Sequence, residues 1–408
     1  MFPFRIIGKA NTGLNLCGVK LRLPRSMKQM RAGFYHAETT QYTRQPMNKT
    51  FLNYTVIALI AAACGLAGSR AFAATQTWTN APADQNLANN FNWISQVAPV
   101  SADSVVFNDS AITNLNNNLA DATALTISFN LTTNSTYTVT NTGNSITLGG
   151  NITDNSLTPV TFAGGTFWLP ANRTLAVVPG GNLTLGSVIS NSTGNNTLTL
   201  AQSIFAPNQF LPLSAIALAP INYALPATVT LNGATASGYT NTTTLGAGTE
   251  LALDFSNMGS PVNLLSTNAV VMNGAVYSLK GKSTGNTVQT NLGTLTYANG
   301  NVISLNNNGG SGTALTLGNT WTRSGNGTLA VDISNGGTVN ANPALANGIV
   351  GSVAVKDSIA AGFATTNASG NVVRNTSTTT LPTSGTDPTV NYITSGSVTM
   401  SAASFGVN

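Results

Sequence analysis

Short runs in which apolar residues alternate with Thr or Ser recur along the chain. They include Leu125-Thr126-Ile127-Ser128-Phe129, Tyr137-Thr138-Val139, Ile146-Thr147-Leu148, Val160-Thr161-Phe162, Leu183-Thr184-Leu185, Leu198-Thr199-Leu200, Val229-Thr230-Leu231 and Leu315-Thr316-Leu317. Successive strand residues point to opposite faces, so each run predicts a strand with one buried and one wet side. β-Branched Thr and Val suit that pleated surface. Gly149-Gly150, Gly164-Gly165, Gly180-Gly181 and Asn299-Gly300-Asn301 read as the turns between runs. Helical patterning is sparse: only Leu87 to Ile94 and Ser358 to Ala364 suggest a turn or two of helix.

The strands recur every ten to twenty-odd residues, mostly without two-residue hairpin loops. A sandwich array and a parallel β-solenoid both fit this spacing. Few charges and Asn-rich turns favour the solenoid, whose Thr and Asn side chains can stack from rung to rung. With roughly 22 residues and about 4.8 Å per rung, a rod on the order of 70 Å is expected. Leu, Val, Ile and Phe would line its core, with Phe162 and Leu185 among the inward residues.

A leader precedes this region. From Met47, Lys49 gives a positive start, Tyr54 to Ala67 is mostly apolar, and Ala71-Phe72-Ala73 is a small-residue cleavage site. That is the order of a secretory signal peptide over 47–73. Its apolar stretch is short for a membrane span. Cys64 raises a lipoprotein alternative, but Ala61 stands where Leu is usual. Residues 1–46 hold eight of the sixteen cations and read as an upstream basic segment, either a start assigned too early or an extended, disordered leader.

Removing 1–73 changes the chemistry. Both cysteines (Cys17, Cys64) and the single histidine (His36) lie in the leader, and residues 74–408 keep six cations against ten acids, hence −4 rather than +5. The basic pI therefore belongs to the leader, and nothing in the mature chain suggests a nucleic-acid partner or stable membrane insertion. Without His or Cys, thiol chemistry, ordinary zinc sites and histidine-based triads are excluded there.

Several motifs match chemistry in letters only. Gly281-Lys282-Ser283-Thr284-Gly285 has the Gly-x-Ser-x-Gly spacing of a nucleophile elbow, but lacks a His base and a following helix, so a turn is expected. The same stretch contains Gly-Lys-Ser, yet Val276 stands where a phosphate loop needs Gly. Gly325-Asn326-Gly327-Thr328-Leu329-Ala330 imitates a dinucleotide fingerprint but leads into a strand, and reads as a rung turn. Carboxylate pairs for sugar chemistry would be Asp103/Asp109, Glu250/Asp254 or Asp109/Asp121, with solvated acids as the plainer reading. No calcium-loop spacing appears. Trp78, Trp93, Trp168 and Trp321 fit core or capping roles or sugar-stacking platforms, and capping suits Trp78 and Trp93, near the start of the mature chain.

Three stretches resemble bacterial proteins with autotransporter-associated β-strand repeats. They are the opening Trp78-Thr79-Asn80 to Asn90-Phe91-Asn92-Trp93 and Asp103-Ser104-Val105-Val106-Phe107, the repeat-like Leu231-Asn232-Gly233-Ala234 through Tyr239 to Gly248-Thr249-Glu250-Leu251-Ala252-Leu253, and Thr322-Arg323-Ser324-Gly325-Asn326-Gly327-Thr328-Leu329. Ser237-Gly238, Asn241 and Glu250 depart from the repeat pattern. The resemblance implies a right-handed parallel β-helix serving as stalk or adhesive surface, and supplies no catalytic residues. Ser401 to Asn408 does not look like a barrel strand, so a fragment of a larger autotransporter is one expectation.

The combined expectation is all-β: a signal peptide over 47–73, an N-terminal cap region over 74–123, and a β-helix over 124–408 with the repeat near 226–333. Its function would be that of a secreted or surface-displayed, adhesin-like passenger meeting surface glycans or neighbouring cells. No catalytic, cofactor-binding or metal-ligating residues are assigned, and it is read as not an enzyme. The alternative is a carbohydrate-binding or carbohydrate-active β-helix, favoured by acids plus Lys or Arg gathered on one concave face.

Overall fold

The computed structural model describes residues 73–376 apart from 134–135, 142, 193, 204–224 and 266–268, together with the backbone of 13–16 and 19–22. The signal peptide and residues 401–408 lie outside these. The chain divides into two units, Met1–Arg70 and Ala71–Asn408. In the first, Gly13–Leu16 and Val19–Arg22 pair antiparallel.

The second unit is a parallel β-solenoid of about ten turns. Its strands form three faces. The first stacks Thr75–Thr77, Ser104–Asn108, the later part of Thr123–Asn130 and of Ser145–Asp154, Arg173–Val177, Leu198–Gln202, Thr243–Leu245, Val270–Asn273, and the starts of Leu295–Asn306 and Trp321–Asn335. The second runs from Asn114–Asn116 through Tyr137–Thr140, Val160–Ala163, Asn182–Leu185, Ala227–Leu231, Thr249–Asp254 and Val276–Lys280 to Val353–Lys356. The third carries the early parts of Thr123–Asn130 and Ser145–Asp154, then Thr166–Leu169 and Val188–Asn191. After single bridges at Gly238 and Val262, it resumes with Asn286–Asn291, Gly312–Leu317 and Thr338–Asn340.

Register explains why alternation suffices to specify the coil. Val139, Phe162, Leu185, Leu231, Leu253, Leu279 and Leu305 are successive partners and all buried. The intervening Thr138, Thr161, Thr184 and Thr230 stack outward in the same register. A one-residue slip would turn the whole aliphatic row to water, so the pattern itself fixes pairing. Phe107 and Phe129 stack with centroids 4.9 Å apart. Each rung from Thr138 to Thr161 to Thr184 uses the expected twenty-odd residues, while the step to Thr230 is longer because 204–224 intervene. About ten turns at ~4.8 Å give roughly 50 Å for the described residues; the expected 70 Å is for the whole of 74–408.

All eight alternating runs are strands. Gly164-Gly165 and Gly180-Gly181 are turns with positive φ at Gly164, Gly165 and Gly180. A Cβ at Gly165 would stand 2.4 Å from the Asn144 carbonyl, so only Gly fits that corner. Gly149-Gly150 and Asn299-Gly300-Asn301 lie inside the continuous strands Ser145–Asp154 and Leu295–Asn306, but the ladders shift register there, and both stretches are corners at which the chain passes from one face to the next. The short helix read at Leu87 to Ile94 is a 3-10 turn at Asn90–Asn92, capped by the Asn89 side chain. Ser358 to Ala364 is not helical: Ala361–Thr366 is a strand of an antiparallel closure, pairing with Val353–Lys356 and with Val372–Arg374. Among the described residues, no helix is long and apolar enough to cross a membrane.

Candidate functional site

On the second face, alternation along one strand aligns two acids, and register brings a cation beside one of them. Glu250 and Asp254 project outward from Thr249–Asp254, four residues apart. Lys280 is the register partner of Asp254 one rung on, and its Nζ lies 3.1 Å from Asp254 Oδ2. Glu250 accepts from Ser278 Oγ at 2.6 Å and from Thr228 Oγ1 at 3.4 Å. Burial would raise the Asp254 carboxyl, but hydrogen bonds from Ser256 and the Lys280 ammonium hold it below its ordinary value. The coil thus gathers two acids and a cation on one outward face. Their spacing argues against paired chemistry. Four strand residues span about 13 Å, whereas glycosidase carboxyls stand roughly 5–9.5 Å apart.

The other acids act locally. Asp103 and Asp109 flank Ser104–Asn108 and do not share a face, because alternation stops at Asn108. Asp103 is buried and accepts from Ala74 N and Val100 N at 2.9 and 3.0 Å. Asp109 receives the backbone and hydroxyl groups of Thr132 and Thr133, and these outweigh burial to lower its carboxyl. Asp121 is lowered chiefly by the Ser145 hydroxyl, then by its backbone N–H. Asp109 and Asp121 therefore hold successive rungs together at separate places.

Gly281 to Gly285 is the turn between Val276–Lys280 and Asn286–Asn291, with Gly285 at φ +72°. Lys282 Nζ donates to the Met258 carbonyl at 2.6 Å. Gly325 to Ala330 lies within Trp321–Asn335, with Gly325 at φ +55° and a register slip against Ala298 to Gly300. No helix follows it, so no helix N-terminus faces a pyrophosphate.

Three recurrences of Asp-x-Ser carry a signal that was not read from sequence. Asp154, Asp254 and Asp332 accept from the backbone N–H two residues on, and from the Ser156, Ser256 and Ser334 hydroxyls. This is the side-chain turn that Asp makes at strand ends. Asp332 and Asp254 also take a cation from the next rung, Lys356 and Lys280. Asp154 does not. It lies in the inward row between Phe129 and Val177 and has no exposed surface, and its Oδ2 has no hydrogen-bond partner. Burial pushes its carboxyl up to about 7 against the Ser156 hydrogen bonds.

The tryptophans divide into three roles. Trp78 and Trp93 are buried at the start of the coil, edge to face with centroids 5.2 Å apart. Trp93 Nε1 donates to Leu87 O at 2.8 Å. Both cap the core, as expected. Trp321 packs against the core and donates to Gly318 O at 2.9 Å. Trp168 alone points outward, between buried Phe167 and Leu169. Among the described residues, no group of three or more potential metal ligands occurs.

No family model, no curated protein and no solved structure matches the chain. The likeness to autotransporter-associated repeats therefore rests on the residues quoted above.

Proposed function

We propose that this chain is an exported, surface-displayed β-solenoid that acts as a stalk or adhesive scaffold rather than as an enzyme. The observation that carries the reading is the outer surface. Rows such as Thr138, Thr161, Thr184 and Thr230 present hydroxyls over a continuous aliphatic core. The described acids are engaged in rung-to-rung and turn contacts. Such a coil is stable by stacking and offers an extended polar face. The signal-peptide pattern and the likeness to autotransporter passengers support export. The test is protease shaving of intact producing cells, followed by detection of an epitope on the full chain. Loss of the epitope without lysis is the expected result. Full protection until lysis would place the chain inside the cell and end this reading.

A second reading, a carbohydrate-active solenoid, draws on Glu250, Asp254 and Lys280 sharing one face. It requires polysaccharide cleavage that Glu250→Gln abolishes.

A further inference from the structure

Along the solenoid axis, one outward row of the third face reads Ala124, Thr147, Trp168, Ser190, Gly238. Four of the five side chains are small, and one is the largest available. A stable outer face does not need an indole there, since Thr and Ser fill the equivalent positions. Trp93 and Trp321 each donate their Nε1 to a carbonyl, whereas Trp168 Nε1, like that of buried Trp78, has no hydrogen-bond partner among the described residues; only Trp168 carries it on the outward row. Thr147 and Ser190 are the register partners of Trp168, and Thr166 shares its face of the strand, so three hydroxyl-bearing residues surround it on the outward side. None of these residues is charged. Arg173, at the adjoining corner, points its Nε, Nη1 and Nη2 at the carbonyls of Leu148, Asn172 and Gly149.

We propose that Trp168 and the hydroxyls of Thr147, Thr166 and Ser190 form a binding platform for a neutral polysaccharide. A pyranose has an apolar C–H face and a rim of hydroxyls. The indole has an apolar face and one polar N–H, so the two match. The row is too narrow and too polar for a protein-docking patch, which is a contiguous apolar area. Phosphate-bearing partners need cations that this row lacks. Trp168 is half-buried, and the row runs two rungs to either side of it, through Thr147 to Ala124 and through Ser190 to Gly238, without another bulky side chain, so an extended chain fits better than a single sugar. The inference rests on the display reading, because only an exported face meets such polymers.

The test uses the full chain with amylose, cellulose, chitin, dextran and, as a charged contrast, polygalacturonate. Pull-down is combined with iodide quenching of tryptophan emission. The expected result is binding to at least one neutral polymer, with Trp168 protected from iodide. Trp168→Ala should weaken binding tenfold or more and Trp168→Phe less, both with unchanged circular dichroism. Equal binding by Trp168→Ala, binding to polygalacturonate alone, or binding to none of the polymers overturns the platform. A chain that is shaved from cells yet binds none of them loses the platform and keeps the display. One that binds through Trp168 but stays protected in cells does the reverse.

Discussion

Asp154 stands where neighbouring rungs place Phe129 and Val177. An ionised carboxylate there would lack a counter-charge, because only Ser156 supports it. Its value is raised from 3.8 to about 7, so between those limits the native state holds more protons than the unfolded chain. Stability then falls as pH rises through that window and levels off above it. At roughly 1.4 kcal/mol per unit, a few kcal/mol are at stake. The lowered carboxylates act oppositely and further down: Asp84 and Asp357, each near 2, lose their contribution as pH falls below about 4. Asp154→Asn removes the ionisation and keeps the shape. The stability difference between wild type and Asp154→Asn, from urea melts at pH 4 to 8, should shift by a few kcal/mol in favour of the variant as pH rises. A difference constant across that range would mean that Asp154 does not titrate in the folded coil.

At the scale of elements, Phe162 and Leu185 test the alternation directly. Both are buried and are register partners, and Thr161 and Thr184 beside them face outward. Phe162→Asp or Leu185→Asp puts an unpaired charge into the stack and should abolish protease resistance. Thr161→Asp should cost less than about 1 kcal/mol. If all three behave alike, the inward assignment fails. The strands were legible because period-two alternation and the buried face are one fact seen twice, as in Val160-Thr161-Phe162. Corners were less legible. Gly149-Gly150 signals a bend, but sequence does not say whether the ladder breaks there. The partnership of Asp254 with Lys280 was hidden for another reason. It depends on a rung length that varies along the coil, so no fixed spacing points to it. Trp168 was visible as one of four tryptophans, but only the burial of Phe167 and Leu169 tells which way it faces.

For the whole molecule, the consequence of stacking is that each rung contacts only its neighbours, and the ends decide how the coil comes apart. The N-terminal end is closed by Trp78 and Trp93 over Phe107, and the antiparallel step of Ile94 N to Thr77 O covers the first strand. At the other end of the described residues the strands Ala361–Thr366 and Val372–Arg374 pair antiparallel onto the last rung, pinned by Arg374 Nε to Asp357 Oδ2 at 2.9 Å. Trp78→Ala opens a cavity under the cap, at about 3–5 kcal/mol for a buried Trp. In a globular core that loss spreads over the whole domain. In a stacked coil it falls first on the rungs it touches. Hydrogen exchange on the full chain should therefore show protection lost in Ser104–Asn108 and Thr123–Asn130, with Val276–Lys280 and Gly312–Leu317 nearly unchanged. Uniform loss across all these strands would mean that the rungs fold as a single cooperative unit.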